Sequence, residues 1–308
     1  MPDSQKHLLP LRYIYRKAHR IILPGLHGAS LFQVGKFFKR EMKTLGLQER
    51  AAAVTYNFFM ATPPTFLLLF SLLPFLSLTN VEQTVLNLLK LIAPNHDIYK
   101  NIHNVVTDFM SQQHHDALSY GIILVLFFSS NGVMGLMRSF DKSMTLYVKR
   151  TGLQRRWKAI QLTILLLILA VLGIAVLIMQ SKDLNPYIHK TLHNFLAVKT
   201  VSFIILTFLV FLAISLIYTF GPSLRHEFRF VSFGSVFATV ASVIATSVFF
   251  FLVNHFLNYN KLYGSIGTLI AFMVWLWINT LIILTGYVLN VSILLGKLSQ
   301  EGHNENYV

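Results

Sequence analysis

Six long runs of this 308-residue chain hold no Asp, Glu, Lys or Arg: Ala51–Val81, Ala117–Met137, Ala159–Ser181, Thr200–Leu224, Phe230–Asn260 and Leu262–Gly296. Crossing ~30 Å of hydrocarbon as a helix takes ~20 apolar residues, and each run can supply them. A backbone in lipid must satisfy its own hydrogen bonds, which a helix does and an isolated strand does not. The fold class read from this feature is all-α: a polytopic membrane helix bundle with six transmembrane helices. The spans are placed over about 51–78, 117–137, 160–180, 200–222, 232–254 and 264–295.

The connectors alternate between strongly basic and weakly charged, and this alternation gives an orientation. Twenty of the 26 Lys and Arg fall before the first run, between the second and third, between the fourth and fifth, or after the sixth. The other six are Lys90, Lys100, Lys182, Lys190, Lys199 and Lys261. Lys and Arg are retained on the cytoplasmic side, so both termini are expected there, in a multi-pass inner-membrane protein.

A formal net charge of +14 would also suit a nucleic-acid binder. Here the excess lies on the side where anionic headgroups attract juxtamembrane Lys and Arg, so membrane lipids are the expected partners and no nucleic acid is required. A homo-oligomer is compatible with the chain. The absence of cysteine excludes disulfides, thiolate metal sites and a cysteine nucleophile. The N-terminal stretch is too basic and too weakly apolar for a cleavable signal, which leaves the first span as the insertion signal.

Residues 1–29 read as a basic N-terminal segment, 30–297 as one membrane domain and 298–308 as a cytoplasmic tail. Within the domain, Ser30 and Gln33 form a capping-box start. Leu31, Val34, Phe38, Met42 and Leu45 then make an apolar stripe opposite Lys36, Lys39, Arg40 and Lys43. That is the pattern of an interfacial amphipathic helix, the alternative being a helix docked on the bundle. Between the first two spans, the stripes Val81, Val85, Leu88, Ile92 and Ile98, Ile102, Val105, Phe109 flank Pro94. A short helical hairpin over the outer face is expected.

No acid or base falls at mid-depth of a span, so attention moves to neutral polar groups and to interruptions of the helix. The first span carries Tyr56 and Asn57, then Pro63, Pro64 and Pro74, and is expected to be kinked or discontinuous. The second ends in Ser129, Ser130, Asn131, Gly132 and Gly135, a close crossing or a local unwinding. The fifth has a face of small residues, including Gly234, Ala238, Ser235 and Thr239, that suits close packing in lipid. The sixth carries a stripe of Gly264, Thr268, Ala271, Trp275, Asn279, Gly286 and Asn290, whose asparagines should face the first, second or fifth span.

Candidate residues of a substrate path, or of interhelical hydrogen bonding, are therefore Tyr56, Asn57, Pro64, Ser130, Asn131, Asn279 and Asn290. Gly132, Gly135, Gly264, Gly267 and Gly286 are assigned to close packing. Arg138 and Asp141, one turn apart, form either a modest intrahelical pair or a cytoplasmic gate and headgroup contact. His189 with His193 and His114-His115-Asp116 lack a third ligand at diagnostic spacing, so no metal is assigned. No nucleophile elbow or phosphate loop is present. No catalytic residue, cofactor or enzymatic activity is expected.

Several of these residues also stand in a recognisable order. Tyr263-Gly264-Ser265-Ile266-Gly267, Trp275-Leu276-Trp277 and Leu284-Thr285-Gly286-Tyr287-Val288-Leu289-Asn290 resemble the C-terminal signature of the YihY/BrkB family of bacterial inner-membrane proteins. Ala52 to Tyr56 through Pro64, Ser129 to Asp141, and Tyr218 with Pro222 are similar to that family's earlier motifs. The resemblance covers roughly residues 30–297. It implies six spans with both termini cytoplasmic. The family was long labelled ribonuclease BN, mistakenly, and other members carry a virulence-factor label or are associated with moving lipids or amphiphiles. Val288 departs from the pattern, since relatives commonly have Glu there, and a mechanism needing that carboxylate could not operate in this chain.

The reading is a transporter or flippase-like protein for a lipid or other amphiphile, the alternative being a non-transporting scaffold of an envelope complex. A transporter needs a cavity reaching mid-membrane, whereas a scaffold can pack its asparagines dry. Whether Asn57, Asn131 and Asn290 line one void separates the two.

Overall fold

A computed structural model of the chain describes residues 30–72, 99–100, 103–104, 107, 115–141, 150–179, 195–223, 230–255 and 265–300. Among these residues there are seven helices of fourteen or more residues and no strand. They are α1 (Leu31–Thr44), α2 (Leu47–Leu72), α3 (His115–Asp141), α4 (Gly152–Met179), α5 (Phe195–Phe220), α6 (Phe233–His255) and α7 (Ser265–Gln300). Five of them, α3 to α7, are long and apolar enough to cross a membrane. The 26-residue α2 is not in that set. The N-terminal segment, Pro74, Gly264 and the tail after residue 300 lie outside the described residues. So does the outer-face hairpin, apart from helical residues at Tyr99–Lys100, His103–Asn104 and Thr107.

Contacts between helices run α2 to α3, α3 to α4, α4 to α5, α5 to α6, α6 to α7 and α7 back to α2, which closes a six-membered ring. The helix ends alternate. Arg50 at the start of α2 bonds Ser139 at the end of α3, Arg155 at the start of α4 pairs with Asp141, and Gly234 at the start of α6 meets Asn290 late in α7. One end of the ring therefore collects Arg50, Arg138, Arg150, Arg155, Arg156, Lys158 and Lys297, and is called the basic end below. Outward faces are apolar and exposed, as at Ile168, Phe208 and Ile244. Small and aromatic residues face inward, the arrangement a bundle adopts when the surrounding medium is itself apolar.

α1 lies at the basic end against α7. The Ser30 hydroxyl accepts a bond from the Gln33 amide at 3.3 Å, as an N-cap does. Val34 packs with Ile293 and Leu289, and Phe38 and Met42 pack against the main core. Lys36, Lys39, Arg40 and Lys43 point outward. The apolar stripe is thus taken up by protein, the docked form of the two sequence alternatives. α1 ends sharply: the Leu45 amide bonds the Glu41 carbonyl, and Gly46 has φ +54°, a left-handed conformation that a side chain would strain by about 1–2 kcal/mol.

Neither expected interruption breaks its helix. α2 runs through Pro63 and Pro64, although both prolines withhold the amides that would bond the Phe59 and Met60 carbonyls. On either side, the Thr62 hydroxyl bonds the Phe58 carbonyl at 3.0 Å and the Thr65 hydroxyl bonds that of Ala61 at 2.7 Å. α3 is likewise continuous through Ser129–Gly135. Its glycines admit α2: a methyl group built on Gly132 would lie 2.7 Å from the Phe58 ring, and one on Gly135 3.3 Å from Val54.

Candidate functional site: a sealed end and a partly open cavity

Three aromatic rings close the ring of helices at its basic end. Phe140 of α3 stacks on Tyr287 of α7, centroids 4.0 Å apart, and meets Tyr218 of α5 edge-on at 6.0 Å. All three are almost wholly buried. The Tyr218 hydroxyl donates to the Ile283 carbonyl at 2.6 Å, so the polar end of this ring is satisfied inside the seal. Val288, 2% exposed, fills the same core and keeps it apolar.

Beside the seal, α6 crosses α7 at backbone contact. A methyl group on Gly234 would sit 2.2 Å from the Gly286 carbonyl oxygen, and one on Gly286 2.6 Å from the Tyr218 hydroxyl. Only glycine fits at either position. The closeness lets Asn290, 4% exposed, act across helices. Its Oδ1 accepts from the Gly234 amide at 2.7 Å and its Nδ2 donates to the Ser232 hydroxyl at 2.8 Å. One side chain thereby caps the start of α6, where helical amides lack partners.

The connector ends are tied at the same level. Asp141 faces Arg155 at 3.4 Å and accepts from both the amide and the hydroxyl of Ser223, at 3.2 and 3.0 Å. Arg150 donates to the Gly221 and Pro222 carbonyls, each at 3.0 Å, covering acceptors that the end of α5 leaves open. Arg138 is exposed and meets the Met134 sulfur at 3.7 Å. The charged pair is therefore Asp141 with Arg155, not Asp141 with Arg138. The reach across α3 and α4 brings a closer partner than one turn of the same helix.

Further along the ring is a cavity of about 260 Å³ between α2, α3, α4 and α7. Phe58, Thr62, Ser129, Thr163, Leu166 and Leu276 are among its lining residues. Leu276 is eleven residues before Tyr287 on α7 and Val133 seven before Phe140 on α3, so the lining runs from about 10 to about 16 Å along the helices from the aromatic seal. Three of its hydroxyls are spent on their own helices: Thr62 on Phe58, Thr65 on Ala61 and Thr163 on Ala159. Apart from the Ser129 hydroxyl, what remains facing the space is apolar, and such a space favours hydrocarbon over water.

The sequence-derived polar residues are distributed rather than gathered. Asn57 donates to Ala53 and Asn279 to Trp275, each on its own helix. Ser130 is buried and donates to Phe127, Tyr56 is exposed, and Pro64 is half-buried beside the cavity residue Thr65. Asn290 belongs to the α6 cap and Gly267 is buried. Asn131 accepts a very short bond from Arg156. None of these residues is among those lining this cavity. Among the described residues no group of three His, Asp or Glu is placed to share a metal ion.

Arg156 is the residue that sequence reasoning missed. Counted by position, it belongs to the basic connector. In the structure it is in the second turn of α4, and its guanidinium turns away from the basic end, reaching Asn131 and the Phe127 carbonyl at 3.3 Å. Asn131 lies ten residues before Asp141 on α3, so the Arg156 side chain reaches back along α3 from the basic end. The available signal was a long side chain one turn into a helix, seven residues before Thr163 on the same face.

The sequence matches known proteins. A family model described as Virulence factor BrkB matches residues 38–306. The ribonuclease-like protein YfkH of Bacillus subtilis is 27% identical over 246 residues, covering 79% of this chain and 88% of YfkH. A UPF0761 membrane protein of Haemophilus influenzae is 22% identical over 257 residues, covering 83% of this chain and 93% of its own length. No solved structure matches. With the family match spanning nearly the whole ring of helices, the chain belongs to the BrkB family and is a membrane protein with several apolar helices.

Proposed function

We propose that this protein is a transporter or flippase-like protein that takes the apolar part of a lipid or other amphiphile into the cavity between α2, α3, α4 and α7. The observation that carries this reading is the cavity itself, about 260 Å³ and set inside a ring of apolar helices with most of its hydroxyls turned onto their own backbones. A polar solute would find few partners there, and an acyl chain would lose no hydrogen bond. In this reading α2 is the first span and brings the number of spans to six, being about 39 Å long at 26 residues. The basic end faces the cytoplasm with both termini, in the inner membrane, and residues 30–297 form one domain. Neither catalysis nor nucleic-acid binding is part of it.

The test is reconstitution into vesicles containing a headgroup-labelled fluorescent lipid, followed by a membrane-impermeant quencher. Vesicles with protein should lose inner-leaflet fluorescence that empty vesicles keep. Identical quenching across several lipid classes would count against transport. The second reading, a non-transporting scaffold of an envelope complex, is favoured by one observation: Asn57, Asn131, Asn279 and Asn290 are all engaged within the protein.

A further inference from the structure

We propose that the outward surface of α3 and α4 holds the phosphate-type headgroup of an anionic lipid at Arg156. Ile123, Phe127 and Asn131 follow at four-residue steps on one face of α3, and the first two are 65% and 54% exposed. Trp157, beside Arg156, is 61% exposed. On α3 this surface lies opposite the cavity residues Ser129 and Val133, and on α4 the half-buried Arg156 stands at its edge, seven residues before the cavity residue Thr163.

On it, the Arg156 guanidinium lies 4.8 Å from the centre of the Phe127 ring and bonds Asn131 and the Phe127 carbonyl. Every one of these partners is neutral. Among the described residues the ion pair is Asp141 with Arg155, and no described carboxylate pairs with Arg156. Two of its five N–H donors are used, and the planar fork suits the oxygens of a phosphate. Arg side chains near a helix end normally extend toward the headgroups. Arg155 does lean to the basic end, where Asp141 is, whereas Arg156 leans to residues ten and fourteen positions further along α3. An anion drawn to that depth, with its chains along Ile123 and Trp157, accounts for both the missing counter-charge and the exposure. Movement of the lipid is not required, so this inference stands or falls separately from transport.

The chain has three tryptophans, Trp157, Trp275 and Trp277, which makes the site readable by fluorescence. In vesicles of mixed lipids, the variant W275F/W277F reports on Trp157, and W157F reports on the other two. Phosphatidylglycerol with brominated chains should quench Trp157 more effectively than brominated phosphatidylcholine. About fivefold is expected, the ratio that ~1 kcal/mol per basic group corresponds to. Trp275 and Trp277 should show no such preference. R156Q should abolish the preference and R156K should retain most of it. If R156Q does not fold, the contrast between the two tryptophan reporters in protein with Arg156 intact decides the matter. Adding inorganic phosphate separates the sources: an unchanged preference supports a headgroup held from the bilayer, and a lost one supports a phosphate site open to solution. Equal quenching of Trp157 by the two lipids, or a preference undiminished in R156Q, would overturn the proposal.

Discussion

The basic end and the middle of the ring use the same kinds of polar residue in opposite ways. At the basic end, Asn290, Tyr218, Asp141 and Arg150 all bond to a different helix or connector, and three aromatic rings fill what space is left. In the middle, Thr62, Thr65 and Thr163 bond back onto their own helices and leave an apolar cavity between them. Polar side chains that cross helices fix a geometry. Those that fold back allow helices to part, because no bond between helices is lost. The sealed end is then the fixed frame, and the middle is where a guest can be accommodated.

Substitutions can break this contrast, the largest effects falling at the seal. Gly234→Leu should destabilise by about 3 kcal/mol or more, since overpacking usually costs 1–3 and the obstacle here is the Gly286 backbone. Loss of folded protein in a detergent unfolding series would show it. Asp141→Ala removes the acceptor of Ser223 and the partner of Arg155, and about 2–3 kcal/mol is expected from such charged bonds. Asn290→Leu uncaps α6 and should cost about 1–2 kcal/mol, within what single interhelical bonds contribute in membrane proteins. By contrast, Asn279→Leu should change stability by less than ~0.6 kcal/mol, because its bond is to its own helix.

The smallest effect sharpens the comparison from outside the ring. Burial raises the Glu41 carboxyl above its ordinary value, with Arg40 and Arg50 pulling it partly back. A carboxyl whose pKa is higher folded than unfolded favours the fold most at pH values below the unfolded pKa. That contribution is lost as pH rises through the folded pKa. Glu41→Gln should therefore stabilise the docked α1 at neutral pH, by no more than ~0.5 kcal/mol because the group is only partly buried and is screened. The difference should vanish in acid, where Glu41 is itself neutral. Thermal unfolding of the variant across that range measures it.

Some of this was legible in the residues and some was not, for physical reasons. Gly132, Gly135 and Gly286 announced close crossings because nothing else in a span lets backbones approach so nearly. Asn290 announced a partner on the first, second or fifth span because an amide in lipid requires one, and it is found at Ser232 and Gly234 at the start of the fifth. The tie between Asp141 and Arg155 was hidden because spacing along one helix favoured Arg138, while the true neighbour is across a connector. Pro63 and Pro64 suggested a break, but the chain stays helical through them with Thr62 and Thr65 on either side. Arg156 escaped because charge was assigned by position in the sequence, and its side chain carries that charge back along α3. The cavity could not be read at all: its lining of Thr, Ser and Leu is indistinguishable in sequence from ordinary packing.

A photoreactive phospholipid tests the contrast between sealed end and open middle most directly. With a diazirine in its acyl chain, it would be activated in membranes containing the unaltered protein and its attachment sites mapped by mass spectrometry. Attachment is expected at cavity residues such as Ser129, Leu166 and Leu276 as well as at the outward Phe208 and Ile244, with none at Tyr287 or Asn290. Attachment confined to the outward residues, or reaching Tyr287 and Asn290 as readily as Ser129, would contradict a lipid-accepting cavity behind a sealed end.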